Sequence, residues 1–443
     1  MKKNVQMQIV NPNSAGIDVG SKSHYVAIGQ EAGQVKEFNV YTSGHQEMVA
    51  YLKEHQIQSI AMESTGSYWQ SLFMMLQGNG FEVLLVPGSQ IQNLRGKTDV
   101  MDCQWIQKLH SLGLLRSCYL PSEVTMRIRT IARHRKSIVE DCSKLTNRMQ
   151  KSLRLMNLRL DVVINDIMGV SGRKIIEAIL SGETDPVRLS QLADKRVKNS
   201  RETIANALHG QYQAELLFEL KQNYKQFLAL QLDIKECDSM LEEILASHTQ
   251  DVVLPENFER IKKQLKGKNQ ASFDLQGFCH KMVGVNLFKL EGVSVNTVLT
   301  FISEVGNDIY KFKSSKQFVS WLRLSPQNKI TGGKVVSSRT KKGKNKLAIA
   351  LRDAANTIER LKSGHLLGFF KKIAYKKGRG AAITATARKM ATIIWNMITK
   401  NQEYNPELSP EIKAKINSRK LKTINRLLAE LNLEQADLQS VKM

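Results

Sequence analysis

The sequence is poor in the residues that would mark a metal ribbon, a disulfide scaffold or a membrane anchor. Its five cysteines, Cys103, Cys118, Cys142, Cys237 and Cys279, are scattered and form no Cys-x-x-Cys pair. That excludes a zinc ribbon and a disulfide framework and leaves reduced, mostly buried thiols. There is no run of about 18 apolar residues, no signal-peptide pattern and no N-terminal anchor, so the cytoplasm is the expected compartment. None of the nine histidines sits in a triad-like motif, and a histidine general base is not indicated. Acidic residues are also short: 65 Lys and Arg face 41 Asp and Glu, a net charge of +24. Such a surplus calls for a polyanionic partner, because each phosphate neutralised by Lys or Arg releases a counterion. Nucleic acid leads, with an anionic membrane surface as the alternative. What is present is ordinary for a folded chain: 443 residues at 42 % hydrophobic content suffice for about two to four domains with cores of their own.

The charge is unevenly placed. Residues 1–110 hold eight Lys/Arg against nine Asp/Glu, so the whole excess lies in the remainder. Residues 127–160 carry ten Lys/Arg against two acids; 311–346 carry eleven and 371–389 seven, with no acid in either run. Few solvated faces are that one-sided. Trp321 and Tyr375 interleave with these charges, and each is expected in the core rather than as a base-stacking platform.

Periodicity divides the chain in the same way. Three short extended stretches, SAGIDVG, HYVAIG and QVKEFNV, are separated by turn residues and read as a meander. An amphipathic helix near 44–55, a strand SIAME ending at Glu63, a helix near 67–78 and a strand FEVLLVP follow. Strands followed by alternating helix and strand suggest an α/β sheet of the ribonuclease-H type. From about 122 the chain reads as helical. Ile128, Ile131, Ile138, Cys142, Leu145, Met149, Leu153, Met156 and Leu160 recur in steps of three and four, with Arg135 in one core slot. That pattern fits a coiled coil or a helix of an ordinary bundle equally well. Residues 161–280 are helix-rich without visible chemistry. Around Gly292, a helix ending before Gly306 suggests a helix-hairpin-helix element, or a plain helical hairpin. The tail beyond 401 reads as one amphipathic helix for packing or oligomerisation.

Two groups of residues carry candidate chemistry. Asp18 lies in the first strand, Glu63 ends SIAME, and Asp99 and Asp102 sit three residues apart on one face of a helix starting near 99. Strand one and the strand after the first helix are neighbours in such a sheet, so Asp18 and Glu63 come within reach of each other at their carboxyl ends. Four converging carboxylates repel unless divalent cations are bound, and hard oxygen ligands suit Mg²⁺ or Mn²⁺. Each acid also has a bland reading: Asp99 as a helix cap, Glu63 and Asp102 as solvated surface groups. The second group is Thr331-Gly332-Gly333-Lys334. It fails as a nucleotide-binding loop, since that motif needs two glycines four residues apart and then Lys-Ser or Lys-Thr.

Taken together, GIDVGSKSHYVAIG, AMESTGSYW and RGKTDVMDCQWIQKLHSLGLL resemble the DEDD-type transposases of insertion sequences, the bridge-RNA-guided recombinases. EGVSVNTVLTFISEVG and FKSSKQFVSWLRLSPQNKITGGKVVSSRTKKGKNKLAIALRDAA resemble that family's C-terminal transposase domain. The resemblance covers about 15–115 and 281–400. It implies a RuvC-like domain over 1–120 whose quartet, here Asp18, Glu63, Asp99 and Asp102, binds Mg²⁺. It further implies a helical coiled-coil connector over 121–280, a mostly helical transposase domain over 281–400 and a tail over 401–443. The implied partners are the DNA of element ends and target, a structured guide RNA, and further copies of the chain as a dimer assembling to a tetramer, in a prokaryotic, nucleoid-associated setting.

In the family a serine attacks DNA, five residues after the proline of a Leu-x-Pro turn. Counted from Pro326, that position is Thr331, which keeps the hydroxyl but crowds it with a methyl group. Ser325, Ser337 and Ser338 are the alternative hydroxyls. Gly332 and Gly333 would admit a close DNA strand, with Lys329, Lys334, Arg339, Lys341, Lys342 and Lys344 on its phosphates. Two other readings stay open: a metal-dependent, junction-resolving nuclease without a covalent intermediate, and a non-enzymatic nucleic-acid binder.

Overall fold

The computed structural model describes residues 8–91, 98–261, 270–406 and 410–431. The chain divides into two compact units, Met1–Leu120 and Pro121–Met443.

The first unit is a five-stranded mixed sheet with helices on both faces. Its elements are β1 (Ser14–Val19), β2 (Ser23–Ala27), β3 (Val35–Asn39), α1 (Thr42–Glu54), β4 (Ser59–Glu63), α2 (Trp69–Gly78), β5 (Glu82–Val86) and α3 (Asp99–Ser111). The strand order is β3-β2-β1-β4-β5. The first three strands form the expected antiparallel meander, and β4 and β5 add in parallel. Alternation along β1 sorts its residues. Ala15, Ile17 and Val19 join Val26, Phe38, Ile60, Met62 and Leu85 in a core closed by Met48 and Leu52 of α1 and Leu72 and Leu76 of α2. Ser14, Gly16 and Asp18 face the opposite way, toward α3. Within the α1 side lies a stacked, buried pair, His24 and His45, with Nε2 atoms 3.2 Å apart.

Among the described residues the second unit is helical apart from one hairpin. It runs α4 (Glu123–Leu155), α5 (Leu160–Val163), α6 (Val170–Leu180), α7 (Pro186–Gln191), α8 (Arg201–Ala207), α9 (Ala214–His248), α10 (Leu275–Val283) and α11 (Val295–Glu304). It continues with α12 (Ser315–Trp321), β6 (Lys329–Thr331), β7 (Lys334–Ser337), α13 (Lys346–Ile358), α14 (His365–Lys377), α15 (Arg379–Thr399) and α16 (Pro410–Leu431).

The long helices α4 and α9 pack antiparallel: Arg135 bonds Asp238 while Cys142 accepts from Gln231, so one index rises as the other falls. Residues of α5–α8, among them Ile175, Ile176, Ile204 and Leu208, share the core of this pair, which makes it the spine of a bundle. Arg135 fills its core slot as expected, and buried Asp238 answers it with oxygens at 2.6 and 3.2 Å. At Ile131 the expected pattern departs: Ala132 takes the buried position and Ile131 is half-buried, because the stripe drifts around a straight helix. Around Gly292, α10 and α11 are joined through a 3-10 turn at Leu287–Lys289, and Ser294 with Thr297 forms a capping box at the start of α11. The expected tail helix is α16; residues 407–409 and 432–443 of that tail lie outside the described residues.

Candidate active site

Backbone geometry brings the four carboxylates to one face of the sheet. The parallel β1–β4 ladder pairs Gly16 with Ala61 and Ile17 with Met62, so the next step along it sets Asp18 beside Glu63 with side chains on the same side. On that face α3 crosses β1 at backbone distance: a Cβ on Gly16 would collide with the Cys103 carbonyl and the Gln107 amide. Two polar contacts fix the crossing. Gln107 Nε2 donates to the Ser14 carbonyl at 3.3 Å, and the Ser59 hydroxyl shares a hydrogen bond of 3.0 Å with His110 Nε2. Thr98 caps α3, its hydroxyl accepting from the Met101 amide at 3.3 Å. The cap is therefore Thr98, and Asp99 and Asp102 occupy the first turn, where negative charge complements the helix dipole. Arg95, Gly96 and Lys97 of the quoted motif lie outside the described residues.

Asp18 senses the other three. The Asp18 carboxyl is pushed up to about 6, first by burial and then by the negative charges of Asp102, Glu63 and Asp99. The Cys103 thiol beneath them is pushed up to about 12 by burial and by Asp18. Glu63 lies against Gly88, where a Cβ would collide with its Oε1. Among the described residues, however, no three His, Cys, Asp or Glu side chains are gathered as a metal-binding group.

Thr331 sits on a hairpin rather than a loop. It pairs with Lys334 across Gly332 and Gly333, whose φ values of 54° and 75° are both positive. A two-residue turn with both central residues left-handed is the type that matches strand twist, and it favours glycine strongly. The turn itself thus accounts for the Gly-Gly pair. At the hairpin's foot the Gln327 amide donates to the Arg339 carbonyl at 2.9 Å, and Arg323 donates to the Lys342 carbonyl. Thr331, Lys329, Lys334, Arg339, Lys341, Lys342 and Lys344 are all exposed. So are Ile330, Val335 and Val336, the last at 70 %. Of the alternative hydroxyls, Ser338 is exposed, Ser325 and Ser337 are half-buried, and Ser337 accepts from the Arg339 amide at 3.4 Å.

Residues 15–158 match a family model described as transposase, of the DEDD type of IS110 elements. Residues 285–367 match the transposase IS116/IS110/IS902 family. The chain belongs to the IS110 transposase family. No curated protein matches it. The first match spans the whole sheet, α3 and all four carboxylates, and the second spans α11, the hairpin and α13. The transposase is therefore a DNA-transposing enzyme, and DNA is its partner. Among the described residues no helix is long and apolar enough to cross a membrane.

A DEDD-type family suggests a divalent metal. The donor set of the transposase fits one: four hard oxygen donors, with the Asp18 carboxyl raised by burial and then by its neighbours' negative charge, which a bound cation relieves.

Some residues around the carboxylates escaped sequence reasoning. Tyr25 lies opposite Asp18 in the β1–β2 ladder, and its phenol is raised by a hydrogen bond to Glu37 and, to a smaller degree, by Asp99. Strand alternation in HYVAIG was the available signal. Gly16 and Gln107 had no such signal, because their role depends on where α3 crosses. One expectation is overturned. Tyr375 is not a core residue: it is 93 % exposed on α14, whose inward positions are taken by Leu366, Leu367 and Phe370. Trp321 is half-buried, against Phe312 and Phe318. The five cysteines are free thiols, four of them buried.

Proposed function

We propose that this transposase cuts and rejoins DNA strands under the direction of a structured guide RNA, through a covalent ester between Thr331 and DNA. In this reading the first unit is a ribonuclease-H-like domain in which Asp18, Glu63, Asp99 and Asp102 hold Mg²⁺, with Mn²⁺ as a substitute. The observation that carries it is a half-buried Asp18, beside Glu63 in the β1–β4 ladder, whose carboxyl is raised first by burial and then by the charges of Asp102, Glu63 and Asp99. A carboxylate that was only a solvated surface group would have neither the burial nor the three charged neighbours that raise Asp18 to about 6.

Thr331 is the preferred hydroxyl because it adjoins the hairpin turn, is exposed, and stands among cations in a run without acids. Its oxygen forms a phosphoester with the cut strand as the deoxyribose oxygen leaves. Attack by the hydroxyl of a second strand on that ester releases threonine and completes the exchange. Lys334 and Arg339 pair phosphate oxygens and fix the strand for in-line attack. Asp18, Glu63, Asp99 and Asp102 would hold a divalent cation, which when bound would supply neutralisation of charge on a phosphodiester. The working form is an oligomer, a dimer assembling to a tetramer, with residues 121–280 as the connector.

The test is a nicked suicide substrate incubated with the protein, guide RNA and Mg²⁺. The wild type gives a protein–DNA band that survives denaturant and disappears on protease treatment. Thr331→Ala and Asp102→Ala each abolish it. Cleavage that persists in Thr331→Ala without a covalent band would instead establish the junction-resolving nuclease.

A further inference from the structure

In the second unit, α4, α11 and the start of α13 enclose a cavity of about 280 Å³. Ala132, Val139 and Leu299 give it apolar walls, the Asn296 side chain offers an amide, Thr300 Oγ1, which donates to the Asn296 carbonyl at 2.7 Å, offers an acceptor, and Lys136 and Lys346 stand at its side. Glu304 is buried, and its carboxylate is gripped by both nitrogens of Arg133 at 2.9 and 2.8 Å, with Arg129 Nε at 3.4 Å. Glu304 is thereby already neutralised, while Glu140, the other acid in the lining, is exposed at the cavity's edge. Arg135 is likewise committed to Asp238. Among the described residues neither Lys136 nor Lys346 makes a salt bridge. The Lys346 ammonium is pushed down by burial and then by Arg133, with Glu304 opposing and Lys136 adding a smaller push. The cavity thus combines apolar walls, two hydrogen-bonding edges and two lysines that form no salt bridge among the described residues. Lys346 also ends the acid-free run 311–346 that carries the hairpin.

We propose that this cavity receives one nucleotide displaced from the stack of the bound nucleic acid, its base between the apolar walls and its phosphate between Lys136 and Lys346. A free phosphate would satisfy the lysines and leave the apolar walls wet, whereas a nucleotide answers both and approaches the size of small-ligand pockets. Extruded bases are held this way, by apolar packing on the ring and hydrogen bonds to its edge. The inference rests on the nucleic-acid reading and on no step of strand exchange.

The test is calorimetric titration of the full chain with AMP, dAMP and inorganic phosphate, for the wild type and for Thr300→Trp, Asn296→Trp and Lys136→Ala. Thermal melts accompany each variant, and two filling variants are used so that one misfolded protein does not decide the outcome. Expected are nucleotide affinities at least about tenfold above that of phosphate, and a loss of about tenfold in each folded variant, in line with the worth of one stacked base. A preference for AMP or dAMP identifies the strand as RNA or DNA. Equal affinity for phosphate, or filling variants that bind nucleotide as the wild type does, overturns the proposal. Covalent capture on Thr331 is scored separately, so its failure with cavity binding intact counts against the strand-exchange reading alone.

Discussion

Gly16 of β1 lies directly under Cys103 of α3, so close that one methyl group at position 16 would collide with the Cys103 carbonyl. No side chain separates strand from helix there, and that is what brings the first turn of α3, with Asp99 and Asp102, over Asp18. Gly16→Ala should push α3 outward at a cost of about 1–3 kcal/mol, the usual penalty for overpacking. Thermal melting measures the cost. Cleavage in Mg²⁺ should fall at least about tenfold, since displacements near 1 Å are that damaging to a positioned site. Undiminished cleavage would mean that α3 does not set the carboxylates.

Threonine at 331 offers a sharper comparison than alanine alone. Thr331→Ser keeps the hydroxyl and removes the crowding methyl group, so covalent capture should proceed at the wild-type rate or faster. Thr331→Val keeps the shape and β-branching and removes the hydroxyl, so capture should vanish while DNA binding persists. Capture in Thr331→Val, mapped by mass spectrometry to Ser325, Ser337 or Ser338, would reassign the nucleophile.

The Arg135–Asp238 pair is a buried ion pair in the spine of the second unit, at 6 % and 2 % side-chain exposure. Arg135→Met leaves Asp238 buried with its charge and should cost about 3–5 kcal/mol. Adding Asp238→Leu removes that stranded charge and should recover most of the loss. Denaturant melts of the two variants test this, and a double variant as unstable as the single would show that the charge is not the cause.

Acid should act on the first unit through His24 and His45. Burial, and then His45, lowers His24 from 6.5 to about 4, and burial lowers His45. Between pH 6.5 and about 4 the unfolded chain therefore binds protons that the folded unit refuses. The stabilisation is complete above 6.5 and is lost as pH falls toward 4, by roughly 3 kcal/mol for His24. Asp18, raised to about 6, contributes with the opposite sign: the cost of burying its charge, and then its repulsion from the other acids, is relieved as pH falls below 6. His24→Leu should shrink the fall in melting temperature between pH 7 and 5. An unchanged fall would clear the histidine pair.

Much of the first unit was legible because its signals are local. Alternation in SAGIDVG, HYVAIG and SIAME marks strands whose two faces differ, and the bounds of β4 coincide with SIAME. The three-residue spacing of Asp99 and Asp102 places both on one turn whatever the surroundings. Arg135 could be assigned to a core slot from the heptad steps, yet Asp238, its partner on α9, could not, since nothing local connects residues so far apart. Tyr375 was misread because a tyrosine among lysines has the same local pattern whether α14 turns it inward or outward.

By itself the sequence determined the strands, the helices, the basic surplus and the candidate groups, since these follow from periodicity, composition and motif. Tertiary structure decided the rest. It set how closely α3 approaches Gly16, how strongly three carboxylates act on Asp18, and that Gly332 and Gly333 form the turn of a hairpin rather than a loose loop. Those properties depend on distances between segments remote along the chain, and such distances are fixed only when the apolar faces have packed.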